Sequence, residues 1–137
     1  MKLQKKTFVL FLLIAFLTIC TATASIPSSS LTSEYEKYDQ LADAIRNKKQ
    51  VVLRYKGLKR EVCPHTLGEK NGTKRVLVFQ FVGQSKSGLP KEGNWRCLFL
   101  SKITILEVRE GKWHTGKSHK KRQTCIDSIE VEVDYQE

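Results

Sequence analysis

Acidic residues, cysteines and methionine are all scarce in this sequence, and each shortage narrows what the chain can be. Its 137 residues hold 14 Asp+Glu against 24 Lys+Arg, which gives a formal net charge of +10. Hydrophobic residues reach 40%, which excludes a disordered composition, and the length suits a single domain. A basic excess of this size favours a polyanionic partner, such as nucleic acid, anionic lipid or a cell-envelope polymer, or else serves solubility alone.

The sequence also lacks the motifs of metal centres and of catalytic sites. No C-x-x-C pair occurs, and the residues of metal-binding type are scattered: Cys63, His65, Cys97, His114, His119 and Cys125. Cys63 and His65 stand close in sequence, but adjacency alone does not make a nucleophile and a base, and no third group orients them. We therefore expect no metal, no cofactor and no enzymatic activity.

Long apolar runs are absent except near the start of the chain. Phe8–Cys20 is apolar over 13 residues, shorter than the roughly 20 that a membrane-spanning helix needs. It follows three lysines and precedes Ala22-Thr23-Ala24, a pattern that signal peptidase recognises. We predict a signal peptide at residues 1–24 and a secreted or periplasmic protein with no stable membrane span after cleavage. The remaining chain would carry a net charge of +7.

An uncleaved membrane anchor and a lipoprotein signal at Cys20 are the alternatives. Ile19 disfavours the second, because a lipid-modification site normally has a small residue before its cysteine. Met1 is the only methionine, so no internal start would remove the signal. After cleavage three cysteines remain, so at most one intramolecular disulfide forms. Two pairings stay open, Cys63–Cys97 and Cys97–Cys125.

The first part of the remaining chain predicts a short leader and one helix. Residues 25–32 are rich in serine and indicate a flexible leader. Ser33 and Glu36 form a capping box, in which each side chain satisfies a backbone N–H at a helix start. Apolar residues then recur at steps of three and four, which predicts an amphipathic helix ending near Asn47: Tyr35, Tyr38, Leu41, Ala42 and Ile45.

The rest of the chain has the alternating pattern of β-strands, expected at 50–56, 59–63, 74–82, 94–100, 103–108 and 129–135. Pro64 should end the second strand, and Asn71-Gly72 is a strong hairpin signal. Strand 74–82 is apolar on both faces, which indicates that both are covered. The pattern predicts one α+β domain over residues 33–137, with an N-terminal helix packed on a small β-barrel of five to six strands.

A further pattern resembles the WYL domain over about residues 38–110. It consists of Leu41-Ala-Asp-Ala-Ile45, Val51-x-Leu53-x-Tyr55, Arg60-x-Val62-x-Pro64, Val76-Leu77, Phe99 and Ile103-x-x-Leu106-x-Val108. Within that family the chain is most similar to small stand-alone WYL-like proteins, on the basis of Arg60, Pro64-His65, Gly68, Gln80, Gly83, Ser85-x-Ser87-Gly88 and Trp95. The resemblance implies an Sm/SH3-like β-barrel with a helix before its first strand. It also implies ligand sensing or nucleic-acid binding.

The chain departs from that family in three ways. The Trp-Tyr-Leu trio that names the family falls at Arg75-Val76-Leu77, so only the leucine is kept. Members of the family are usually cytoplasmic and often fused to a DNA-binding helix-turn-helix. No helix-turn-helix accompanies this domain, and the predicted signal peptide places it outside the cytosol. These departures weaken the transfer of a ligand site and argue against a transcription regulator.

Seven polar and aromatic residues are the candidate ligand-binding set: Arg60, His65, Gln80, Ser85, Ser87, Trp95 and Arg96. Arginines can grip a phosphate or carboxylate with two hydrogen bonds, and serines in a glycine-rich loop can face an anion. Gln80 is the one polar residue in an apolar strand and needs a partner, either a ligand or a backbone group. The tryptophan either stacks on a ligand or packs in the core.

The segment Lys112–Arg122 is basic with one aromatic residue, and is either a phosphate-backbone contact or a solvated loop. Its candidate polyanion contacts are Lys117, Lys120, Lys121 and Arg122. Together these features predict an exported WYL-like module that binds an anionic or polar ligand, with nucleic acid as one candidate. The alternative is a protein–protein interaction module of the cell envelope, which would use a free strand edge.

Overall fold

The computed structural model describes residues 29–117 and 122–135, and it confirms the predicted α+β class. One helix, α1, precedes a six-stranded antiparallel sheet. A single 3₁₀ turn at Leu100–Lys102 joins the fourth strand to the fifth. The elements are α1 Ser29–Arg46, β1 Gln50–Tyr55, β2 Leu58–Lys70, β3 Thr73–Gly83, β4 Asn94–Phe99, β5 Ile103–Arg109 and β6 Ser128–Glu132.

The sheet is open, so the prediction of a closed barrel is wrong. The strand order is β4-β3-β2-β1-β5, and β6 pairs with β2. Among the described strands no ladder joins β4 to β5. At the end of β4, the Phe99 N–H instead donates to the Tyr55 hydroxyl at 3.4 Å. The Tyr55 side chain therefore accepts the hydrogen bond that a backbone carbonyl of a neighbouring strand would accept in a closed barrel.

Pro64 lies inside β2, which runs on to Lys70, so the predicted strand end at this residue is also wrong. The register with β3 shifts between Pro64 and Thr66, which places His65 in a bulge. Proline has no N–H to donate to a ladder, and a bulge tolerates it because the ladder is interrupted there. The His65 carbonyl accepts a hydrogen bond from the Val133 N–H at 2.8 Å. This bond anchors the C-terminal segment, residues 122–135, to β2.

Helix α1 begins at Ser29, four residues before the expected capping box, so Ser33 lies within the helix rather than at its cap. Its second half packs on the sheet. Leu41, Ala42 and Ile45 are buried there against Leu53 and other core residues, whereas Tyr35 is exposed. The helix therefore covers part of the core-facing side of the sheet. No helix within residues 29–117 and 122–135 combines the length and apolar content that a membrane span requires.

The hairpin between β2 and β3 is the turn that the sequence predicts. Asn71 and Gly72 have φ angles of 52° and 67°, the left-handed conformation that a two-residue hairpin loop requires. The turn sets the register of β3, so that Val76, Val78 and Gln80 are buried. Phe79, on the opposite face, is also buried. Strand β3 is thus covered on both faces, as its sequence predicts.

The C-terminal segment covers the second face of the sheet at β3. A disulfide between Cys97 and Cys125 fixes this segment to β4. Their Cα atoms are 5.6 Å apart. Of the two pairings that spacing allows, this is the one formed, and Cys63 remains a buried thiol. The Trp95 ring packs edge-on against Phe79, with the centroids 5.3 Å apart.

The Cys63 thiol is expected to be chemically inert in the folded protein. Burial raises its pKa from near 9 to about 11, an effect that the His114 N–H opposes by donating to Sγ at 3.3 Å. At pH 8 the thiolate fraction is then about one hundredth of that of an ordinary thiol. Reaction with a disulfide reagent should be at least about a hundredfold slower in buffer than in urea, and equal rates would contradict the burial.

The same group makes stability depend on alkaline pH. The unfolded chain releases the Cys63 proton near pH 9, whereas the folded chain holds it until about pH 11. The unfolded state therefore binds fewer protons in this window, and the free energy of unfolding falls as pH rises. A Cys63→Ala variant should lose this part of the slope in urea titrations at pH 8 to 11. An unchanged slope in the variant would assign the effect to other groups.

Candidate anion-binding site

Arg60 is a cation on the inner face of the sheet, and only 6% of it is exposed. It pairs with Leu53 on β1 and with Gly83 on β3. Gly83 allows this close approach, because a Cβ there would lie 2.5 Å from the Lys59 carbonyl oxygen and its φ is +105°. Strand alternation turns the Arg60 side chain inward next to the core residue Val62, which is an unusual position for a charge.

The neutral groups around Arg60 satisfy it only in part. Its Nη1 donates to Gln80 Oε1 at 3.3 Å, and its guanidinium carbon lies 5.1 Å from the centre of the Tyr55 ring. None of the salt bridges among the described residues involves Arg60, and its Nε is buried without a hydrogen-bond partner. Burial lowers the pKa of Arg60, the nearby charge of Arg96 lowers it further, and Tyr55 opposes both. A buried cation without a counter-ion is unfavourable.

Arg96 lies on β4 and repeats part of this arrangement. Its Nη1 donates to Ser87 Oγ at 2.8 Å, and its Nη2 donates to the Gly88 carbonyl at 2.5 Å. Its Nε is also buried without a partner. The Ser85 and Ser87 hydroxyls are 3.3 Å apart. These contacts fold the loop between β3 and β4 back over Arg96 and bring both serines beside it.

Gln80 connects the buried arginine to the same loop. Its side chain is fully buried, and its Nε2 donates to the carbonyls of Val82 and Gln84 at 3.4 Å and 3.2 Å. With Oε1 accepting from Arg60, the amide has partners at both ends within the protein. Gln80 therefore orients Arg60 and the start of the loop.

Between these elements lies a cleft of about 210 Å³. It opens between the β1–β2 turn, the β3–β4 loop and strand β4. Four of its lining residues are cations, and neither a carboxylate nor a histidine is among the described residues that line it. The lining consists of Tyr55, Lys56, Leu58, Arg60, Ser85, Lys86, Ser87, Arg96, Cys97 and Leu98. The arrangement offers guanidinium, ammonium and hydroxyl donors to an anion.

The cleft brings together four of the seven predicted ligand residues, Arg60, Ser85, Ser87 and Arg96, with Gln80 directly behind them. Sequence reasoning missed Lys56 and Lys86. Both lie in turns, where a lysine side chain is normally solvated. The sequence does not show that these two turns lie close together in the fold and bring both lysines to the cleft. Lys56 has a φ of 50° in the turn before Gly57, an uncommon conformation for a lysine that the sequence does not reveal.

His65 and Trp95 lie outside the cleft lining, in an aromatic cluster. The His65 ring is fully buried, with centroids 4.7 Å from Trp95 and 4.8 Å from Trp113. Its Nε2 lies 3.1 Å from the His114 carbonyl and its Nδ1 lies 2.8 Å from the Tyr135 hydroxyl. Because a carbonyl only accepts, Nε2 carries the proton and Nδ1 accepts from Tyr135.

Tyr135 supports this assignment. Burial, and then the Glu132 carboxylate, raise the pKa of Tyr135 to about 12, so its hydroxyl keeps the proton that it donates. The cluster stabilises the join between the β2 bulge and the C-terminal segment.

A larger groove of about 940 Å³ adjoins this cleft and shares Arg96 and Cys97 with it, and Trp95, Tyr135 and Arg122 contribute to its lining. Lys117 is exposed at the end of the preceding segment. Lys120 and Lys121, the other candidate polyanion contacts, lie outside the described residues. Within the described part of the chain, no cluster of three or more His, Cys, Asp or Glu side chains could hold a metal ion.

Comparison with known proteins gives no relative for this chain. No family model matches it, and neither a curated protein nor a solved structure does.

Replacing Gln80 by leucine tests whether this amide supports the cleft. The change removes the bonds to Arg60, Val82 and Gln84 without reducing side-chain volume greatly, and leaves two carbonyls and a cation with fewer partners. We expect a loss of about 1–3 kcal/mol in the free energy of unfolding, measured in urea. Gln84→Leu, at an exposed side chain in the same loop, should change it by less than about 0.5 kcal/mol. Equal effects would remove Gln80 from this role.

Proposed function

We propose that the chain is an exported WYL-like binding module that takes an anionic ligand in the cleft of Arg60 and Arg96. One observation carries the proposal: a buried arginine without a carboxylate partner stands beside a second arginine, and both have an unpartnered Nε. Proteins normally pair buried charges. A bound anion would supply the missing counter-charge and accept charge-assisted hydrogen bonds, which are the stronger kind.

The strand order supports the WYL-like and Sm/SH3-like part of the proposal. A helix precedes β1, five strands follow the path β4-β3-β2-β1-β5, and a one-turn 3₁₀ helix lies between β4 and β5. The site lies beside the open join of the sheet, where the Phe99 N–H at the end of β4 meets the Tyr55 hydroxyl of β1. Export rests on the apolar run and cleavage pattern of residues 1–24, which lie outside the described residues.

The contacts along β4 favour an anionic ligand over a partner strand. The backbone N–H groups of Phe99 and Trp95 are both already bonded to side-chain oxygens. Phe99 donates to the Tyr55 hydroxyl, and Trp95 donates to Asn94 Oδ1 at 2.8 Å. An added strand needs free backbone groups at regular intervals, so this edge is poorly suited to pairing.

Binding to single-stranded DNA with a 5′-phosphate at low and moderate salt tests the proposal, with Arg60→Ala/Arg96→Ala beside the wild-type protein. Removing both cleft arginines should weaken binding at least about tenfold, because each charged hydrogen bond contributes about 1.5–3 kcal/mol. Wild-type binding should also weaken as salt rises. The matched control is Arg46→Ala/Arg54→Ala, which removes the same charge from two exposed positions. Equal losses in both double variants would show attraction to net charge and contradict a site at the cleft.

A further inference from the structure

We propose that the group bound in this cleft is a phosphate monoester, the terminal phosphate of a ligand, rather than the diester backbone of a polymer. The inference rests on the proposed function and names its ligand chemistry. A monoester carries close to two negative charges at neutral pH, with a second pKa near 6, and presents three terminal oxygens. A diester carries a single negative charge and two terminal oxygens.

The charge of the cleft matches a dianion. Arg60, Arg96, Lys56 and Lys86 line it, and no acidic residue offsets them among the described lining residues. The two arginines repel each other strongly enough for Arg96 to contribute to the lowered pKa of Arg60. A second negative charge on the ligand relieves this repulsion more than a single charge does, because each guanidinium then has its own counter-charge.

The donors reach the cleft from three separate elements. Arg60 comes from β2, Arg96 from β4, and the Ser85 and Ser87 hydroxyls from the intervening loop. Both arginine Nε atoms are unsatisfied, and a hydroxyl can rotate to donate. Donors that reach one cleft from different elements suit a tetrahedral group with three free oxygens. A polymer backbone is instead bound by cations spaced along a track.

The size of the cleft agrees with an end group. Its volume of about 210 Å³ lies below the roughly 300–1,000 Å³ of pockets that enclose whole small molecules. Tyr55, Leu58 and Leu98 form apolar walls around it. A diester must enter on one side and leave on another, whereas a monoester has one substituent and needs one opening.

Calorimetric titration of the full chain with methyl phosphate and dimethyl phosphate at pH 7.5 tests the inference. We expect saturable binding of methyl phosphate and at least tenfold weaker binding of dimethyl phosphate. Arg60→Met should weaken methyl phosphate binding at least tenfold, whereas Arg54→Met, at an exposed arginine of β1, should leave it unchanged. Equal affinities for the two esters would overturn the monoester assignment and leave an anion site in place. If neither ester binds and single-stranded DNA also fails, the proposed function falls as well.

Two further measurements separate a phosphate end from a backbone. A ten-nucleotide single strand with a 5′-phosphate should bind at least tenfold more tightly than the same strand with a 5′-hydroxyl, and equal binding would overturn the inference. Affinity for methyl phosphate should fall about tenfold between pH 7.5 and pH 5, as the ligand gains its proton. Neither a histidine nor a carboxylate is among the described lining residues, so a change across this range reports on the ligand. An affinity constant across it would contradict recognition of the dianion.

Discussion

Replacing Cys97 and Cys125 together by serine is expected to lower the free energy of unfolding by about 3–4 kcal/mol. The disulfide closes a loop with a sequence separation of 28 residues, and chain-entropy estimates for a loop of that length give this magnitude. The loop contains β5 and the segment that returns to β6, so without the bond β6 is held to β2 by its short ladder and by a few flanking hydrogen bonds, such as those from Asp127 N–H to Glu69 and from Val133 N–H to His65. The loss is large against the 5–15 kcal/mol that stabilises a typical domain.

Urea unfolding of the oxidised protein, the reduced protein and the double variant measures this effect. Reduction should shift the wild-type midpoint to that of the variant and should leave the variant itself unchanged. A variant as stable as the oxidised protein would mean that the ladder of β6 and the His65 cluster hold the C-terminal segment without the bond. A variant that is further destabilised by reductant would contradict Cys97–Cys125 as the disulfide, because Cys63 is then the remaining thiol of the described residues.

Replacing Arg60 by methionine is expected to separate binding from stability. Methyl phosphate affinity should fall about tenfold to a hundredfold, the equivalent of losing about 1.5–3 kcal/mol of charged hydrogen bonding. Ligand-free stability should stay within about 1 kcal/mol of the wild type. The variant loses the contacts with Gln80 and Tyr55, but it also removes a desolvated charge and its repulsion by Arg96. Replacing buried charges by apolar groups of similar size is often neutral or stabilising.

The two readouts distinguish a ligand-binding arginine from a structural one. Thermal unfolding with and without methyl phosphate should show a ligand-dependent rise in midpoint for the wild type and for Arg54→Met, but none for Arg60→Met. A ligand-free loss of more than about 2 kcal/mol in Arg60→Met would show that Arg60 is held for stability. The same ligand-dependent rise in wild type and variant would remove Arg60 from the site.

Much of the fold follows from local patterns in the sequence. The Asn71-Gly72 turn, the alternation along β3 and the apolar face of α1 around Leu41 each carry their own physical cause, and each occurs as predicted. The bulge at Pro64 does not follow from such patterns. Proline indicates a break in a ladder, and the strand continues beyond it because β2 pairs there with β3 on one side and with β6 on the other.

The site was predictable in its residue types and less so in its boundaries. The sequence predicts Arg60 and Arg96 as donors to an anion, and the fold brings both into one cleft with Ser85 and Ser87. His65 has the same polar character, but whether it is enclosed depends on Trp113 and Tyr135, which are distant in sequence. Likewise, spacing cannot choose the cysteine pair, because that choice depends on where the C-terminal segment crosses β4.

The most direct test of the account is the nuclear magnetic resonance of the arginine Nε–H groups during titration with methyl phosphate. The Nε atoms of Arg60 and Arg96 are buried without partners, whereas Arg54 is exposed. If an anion occupies the cleft, the signals of Arg60 and Arg96 shift together and saturate at one dissociation constant, and Arg54 stays still. If all arginine signals shift alike without saturation, or if only arginines outside the cleft respond, the cleft of Arg60 and Arg96 is not an anion-binding site.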